Sequence, residues 1–202
     1  MTRARVALVL GVVAALAVVA TAGVAVATYL RDDDPAVAGP LVVIDPTSGA
    51  RFEVPGTGWE VRGARSRIFY EDARGRPTAV VTGPAVYRDG YCADEPGDSN
   101  RGFAGFTDQS FDAWVEGLTG GRGTWTTGNA RQEVVLADGT TGALQWTGLL
   151  GGEGRCAAEG VEVAMVRAGD VRAVLVADTG EPGTLSHDEI VDILTSLRPT
   201  AS

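Results

Sequence analysis

Lysine is absent from this 202-residue chain, and all 17 of its basic residues are Arg. Without a side-chain amine there is no Schiff-base or amine-nucleophile chemistry; exclusive use of Arg also points to a GC-rich coding genome. Histidine occurs once, at His187. A Ser-His-Asp triad would need it beside a nucleophile, and no Gly-x-Ser-x-Gly elbow is present. His187 falls in the first turn of an expected helix, where the dipole disfavours its cation, so it reads as a solvated helix-start residue. One His and two Cys expected to be bridged to each other cannot supply the three or four soft ligands of a zinc site. The cysteines, Cys92 and Cys156, lack Cys-x-x-Cys spacing, which argues against a redox dithiol. Glycine-rich stretches at 117–123 and 148–154 have no following Lys-Ser or Lys-Thr, so they read as loops rather than phosphate cradles. No repeat with a period of 20–50 residues is visible.

What is present begins with a long apolar run. From Val6 to Ala27 the chain carries no charge and consists mainly of Val, Ala and Leu. At ~1.5 Å per residue a helix of this length covers a hydrocarbon core of roughly 30 Å. Arg3 and Arg5 precede the run, and Asp32, Asp33 and Asp34 follow it. That asymmetry predicts a cytoplasmic N-terminus with the remainder outside. The expected organisation is a cytoplasmic tail at 1–5, a transmembrane helix at 6–30, a linker at 31–40 and an extracytoplasmic domain at 41–199. The competing reading is a signal peptide cleaved after Ala27, since Ala25-Val26-Ala27 fits a small-x-small site; the run is longer than a usual signal core of about 7–15 residues. Either way the domain is exported.

Residues 1–31 hold three Arg and no acid, so the exported part has 14 basic against 26 acidic residues, a net of −12. Such a surface repels nucleic acid and anionic headgroups, which excludes nucleic-acid partners, and otherwise serves solubility. An even cysteine count in an oxidising compartment favours a Cys92–Cys156 disulfide, with two buried thiols as the alternative. Closing that loop would stabilise the fold by roughly 4 kcal/mol on chain-entropy grounds.

Strand-like runs occur at 41–44, 51–54, 59–61, 68–70 and 79–87, then at 130–136, 140–149, 161–167 and 171–178. Asp138-Gly139 carries the signal of a type I′ hairpin turn, and Gly169-Asp170 joins the next pair likewise. The last four strands therefore read as a mostly antiparallel meander. Phe111, Trp114, Val115 and Leu118 recur at i, i+3, i+4 and i+7, the apolar stripe of a surface helix. A second helix spans about 186–197, opened by a Ser186/Glu189 capping box and followed by Pro199. The expected class is α+β, with a mostly antiparallel sheet and two main helices.

Arg51-Phe52-Glu53-Val54-Pro55 followed by Gly58-Trp59-Glu60-Val61 resembles the opening of PsbP-like domains, where a strand ends in Pro and Gly-Trp begins the next. Ile193-Leu194-Thr195-Ser196-Leu197-Arg198-Pro199 is similar to the closing helix of the same superfamily. The resemblance covers both ends of the domain and leaves the middle unmatched. It implies an α/β/α sandwich with a central antiparallel sheet. It implies little about activity, since such domains include photosystem subunits, transport cofactors and exported actinobacterial proteins of unknown function.

No catalytic, cofactor-binding or metal site is assigned. The loop from Cys92 to Asn100 gathers Asp94, Glu95, Asp98 and Asn100, oxygen donors suited to a hard cation, but EF-hand spacing is not met and a solvated acidic loop is the simpler reading. Glu71, Asp72, Glu153 and Glu159 are too scattered to announce a glycosidase pair. Trp59, Trp114 and Trp146 read as core. Trp125, Tyr91, Phe103 and Phe106, together with Tyr87, form the candidate groove for a peptide, glycan or lipid, against the plainer reading of core or strand-end packing. The expected function is a membrane-anchored, non-catalytic envelope module binding a protein or small ligand. An exported carboxylate-dependent hydrolase is the alternative.

Overall fold

A computed structural model describes residues 39–88, 91–92, 100–119, 130–150, 158–180 and 182–199. The chain divides into Met1–Ala38 and Gly39–Ser202. The expected transmembrane helix lies outside the described residues, none of whose helices is long and apolar enough to cross a membrane.

Ten strands and two helices are described. A short antiparallel hairpin of β1 (Leu41–Ile44) and β2 (Arg51–Val54) opens the domain. The main sheet contains β3 (Trp59–Val61), β4 (Arg67–Glu71), β5 (Pro77–Tyr87), β6 (Gly102–Phe106), β7 (Ala130–Val135), β8 (Thr141–Leu150), β9 (Gly160–Ala168) and β10 (Val171–Thr179). Their order is β3-β5-β6-β10-β9-β8-β7, with β4 pairing β5 beside β3. Every pairing is antiparallel. The α+β reading and the closing four-strand meander are borne out. Helix α1 (Phe111–Thr119) and helix α2 (His187–Thr195) occupy opposite faces of the sheet.

The turns differ from the expected type I′. In the β7–β8 turn only Gly139 has positive φ, at 82°, and its amide donates to Leu136 O at 2.9 Å. That is a type I turn closed by a left-handed Gly, which suits a longer loop than a two-residue hairpin. In the β9–β10 loop Gly169 has φ 59° and Asp170 is not left-handed, the φ pattern of a type II′ turn.

One face of the sheet buries α2 and the β1–β2 hairpin. Phe52, Leu144, Leu175, Ile190, Leu194 and Leu197 are all essentially inaccessible there. The capping box forms as expected: Ser186 Oγ accepts from the Glu189 amide, and the Glu189 carboxylate accepts from the Ser186 amide at 2.8 Å. Leaving the helix, Arg198 exchanges backbone hydrogen bonds with Arg51, tying the chain's end to β2.

The other face is covered by α1. Phe111, Trp114 and Val115 bury against Ala79, Val81, Met165 and Val174. The Trp114 indole donates to Val80 O at 3.3 Å, so this fully buried ring keeps no orphan N–H. Gly117 lets the helix sit directly on β5: a Cβ there would lie 2.2 Å from Thr78 O.

Strand β6 has no counterpart among the strand-like runs, since two glycines in Gly-Phe-Ala-Gly-Phe weaken the strand signal. It is nevertheless a central strand, buried throughout and paired on both sides. Both glycines are required by close approach. A Cβ on Gly102 would meet Val176 O at 2.6 Å, and one on Gly105 would meet Val81 Cγ1 at 2.3 Å.

Candidate functional site

Strands β3 and β4 share the outer edge of β5, one on each side of a bulge at Gly83-Pro84. α1 does not reach the part of its face nearest β3, so concave surface remains beside β4. Two adjoining grooves lie there, of about 640 Å³ and about 280 Å³. Both are lined by Tyr70, Asn100 and Phe103. The larger continues over Arg62, Ile68, Phe69 and Val86; the smaller runs past Leu118, Leu149, Leu150 and Val161 to Asp178.

The floor is aromatic. Tyr70 and Phe103 rings lie 6.1 Å apart, and Phe103 and Trp114 rings 6.3 Å apart, so the contact runs from the surface into the core. Phe69 and Leu150 are exposed at 51% and 60%, whereas Tyr70, at 37%, keeps most of its side chain covered. Burial, and secondarily the Asp178 carboxylate, hold the Tyr70 phenol above its ordinary value of 10.0. The phenol therefore stays protonated and able to donate a hydrogen bond. The walls mix aromatic and aliphatic side chains with a phenol, an amide, a carboxylate, the Ser66 hydroxyl and the guanidiniums of Arg62 and Arg67, so both apolar and polar ligand groups would find partners.

Among the described residues singled out from the sequence, Phe103 belongs to this surface as expected of a groove residue, and Asn100, read as an oxygen donor of the acidic loop, lines it as well. Phe106 is the correction: three residues along an alternating strand, it faces the other side of the sheet and packs on Phe52 at 5.2 Å. Tyr87 is buried on that same other face. Tyr91 is half-buried with the Arg101 guanidinium 4.4 Å over its ring. Trp125 lies outside the described residues, as do Cys156 and the carboxylates Asp94, Glu95, Asp98 and Glu153. Cys92 is 5% exposed, and no free cysteine occurs among the described residues. Glu71 and Asp72 sit at the β4–β5 turn, where Asp72 is taken up by Arg76 at 2.6 Å; Glu159 precedes β9. No group of metal-ligating side chains occurs among the described residues. The groove residues that sequence reasoning missed are Tyr70, Leu150 and Asp178. The consecutive Ile68-Phe69-Tyr70 on a short edge strand was the one available signal.

His187 opens α2 and is exposed, as the sequence reading has it, but it also has partners. Its Nδ1 lies 2.7 Å from Glu162 Oε1, and its ring packs on Trp146 at 5.2 Å. The carboxylate orients the imidazole and the indole restricts its tilt. Among the described residues no hydroxyl or thiol hydrogen-bonds to that ring.

The class of protein this defines is an antiparallel α+β domain with a groove of mixed polarity at one sheet edge. The chain belongs to the family described as Domain of unknown function (DUF8017), matched over residues 33–202. No curated protein matches it.

Proposed function

We propose that this chain is a membrane-anchored extracytoplasmic module without catalytic activity, which binds a protein or small ligand of the cell envelope. The observation that carries the reading is the groove shared by Tyr70, Asn100 and Phe103, with large apolar side chains left exposed along its rim. Monomeric domains seldom leave contiguous apolar surface without a use for it. The uncharged run from Val6 to Ala27 supplies the anchor, and the acidic exported surface keeps the module soluble. Cys92, buried and not free, is paired with Cys156 in this reading. The PsbP-like resemblance is supported by a helix on each face of one antiparallel sheet.

A photo-crosslinking residue at Phe69 tests the groove in cells. A defined adduct from position 69, absent from position 135 at the far edge, is the expected result; identical adducts from both positions defeat the reading. A reporter fused after Ser202 should be active only outside the cytoplasm. Non-reducing peptide mapping should link Cys92 to Cys156, and free thiols at both would remove the bridge.

A further inference from the structure

The face of the sheet that carries α1 is covered only in part. Cross-strand register places Glu133, Ala143, Arg167 and Arg172 in one row over β7, β8, β9 and β10. The neighbouring row is Arg131, Gln145, Met165 and Val174, of which α1 covers the last two. Beyond the helix lies a separate groove of about 420 Å³, lined by Arg131, Gln132, Glu133, Thr141, Arg167 and Gly169.

Its charge arrangement is unusual for this chain. Arg167 and Arg172 stand directly opposite one another on adjacent strands, which is unfavourable for like charges. With 26 carboxylates against 17 guanidiniums, partners are in excess. Yet Arg131, Arg167 and Arg172 form no ion pair among the described residues. Arg167 Nε donates instead to Gly169 O at 2.9 Å, and Arg172 Nη1 to Asp170 O at 3.3 Å. Arg131 and Arg167 thus line one concavity without a carboxylate partner among the described residues.

We propose that this groove is an oxyanion site, taking a compact phosphate-type group between Arg131 and Arg167. Guanidinium forks match phosphate oxygens with paired, charge-assisted hydrogen bonds. Thr141, in the same lining, offers a neutral hydroxyl donor. Glu133, in the same groove, limits the net positive charge, and the chain's overall −9 repels extended polyanions. A single phosphomonoester or phosphodiester group therefore fits. A soluble ester and a lipid headgroup offer the same chemistry.

The full chain in maltoside micelles, observed through its Arg Nε–H signals, tests this with inorganic phosphate at constant ionic strength. The expected result is saturable shifts at Arg131 and Arg167, with at least tenfold weaker binding in R131Q and R167Q. Both side chains are exposed, so the variants should melt like the parent. Exchange into phosphatidylcholine and then phosphatidylglycerol nanodiscs separates the sources. Shifts at the same two residues only with phosphatidylglycerol assign a headgroup, and shifts with phosphate alone assign a soluble ester. No saturable shift under any condition, or a shift at Arg167 undiminished in R131Q together with one at Arg131 undiminished in R167Q, overturns the site.

Discussion

Val81 and Ala85 lie four residues apart on β5 and face opposite sides of the sheet: Val81 packs beneath α1, and Ala85 joins the core beneath α2. Strict alternation would put both on one face. The bulge between them inserts an extra residue, since Thr82 pairs with Phe106 but Ala85 with Ala104. Gly83 makes this workable, with φ 56° and a missing Cβ that would otherwise lie 2.9 Å from Ile44 O. The same bend separates β3 from β4 and so opens the larger groove.

Gly83→Ala should accordingly lower stability by about 1–3 kcal/mol, from left-handed strain together with the backbone clash. Urea unfolding measures it. An unchanged midpoint would mean that β5 does not carry the bulge.

Gly117→Ala offers a reversal of sign. In an exposed helix the change would stabilise by roughly 1 kcal/mol through helix propensity. Here the added Cβ would fall 2.2 Å from Thr78 O, where Thr78 also donates its hydroxyl to Gly117 O at 2.7 Å. Net destabilisation of roughly 1–3 kcal/mol is expected, as for overpacking. Thermal unfolding of the two proteins decides it, and a stabilised variant would mean that α1 does not dock on β5.

Tyr70 should titrate above the ordinary 10.0, because burial first and Asp178 second disfavour the phenolate. Asp178→Asn removes the smaller cause and should move the transition part of the way back. The folded state holds this proton more tightly than the unfolded chain, so the contribution to stability is full below the unfolded value and is lost as pH rises through the folded one. Absorbance titration near 295 nm of the parent, Y70F and D178N follows the group. A Tyr70 transition at the ordinary value in the parent would place the phenol in open water.

Glu189 shows the opposite sign. The Ser186 amide, and then its hydroxyl, hold the carboxyl below its ordinary 4.5. This contribution is present above the unfolded value and is lost as pH falls through the folded one. Ser186→Ala should cost about 0.5–2 kcal/mol at neutral pH, as removal of a helix cap usually does. Its deficit should narrow on acidification below the ordinary carboxylate range. Melting temperatures from pH 6 to pH 3 would show parallel curves if the box contributed nothing.

Local chemistry made much of this fold legible from the chain. The helix stripe at Phe111, Trp114 and Val115 is a matter of 3.6-residue spacing, and the Ser186–Glu189 box is a matter of three-residue spacing. Alternation and turn glycines likewise marked nine of the ten strands. The central strand β6 escaped because its two glycines weaken the strand signal until Val176 and Val81 are seen pressing on them. Local spacing could not bring Tyr70, Asn100 and Asp178 together either, since they come from three segments that only sheet order makes neighbours. The Glu162–His187 pair has the same origin, spanning 25 residues between β9 and a helix start. Sequence alone determined the elements, the acidic charge and the apolar leader, because those depend on near neighbours or on composition. Tertiary structure decided which faces were covered and which side chains met, because a single inserted residue at Gly83 reverses the facing of everything that follows it on the strand.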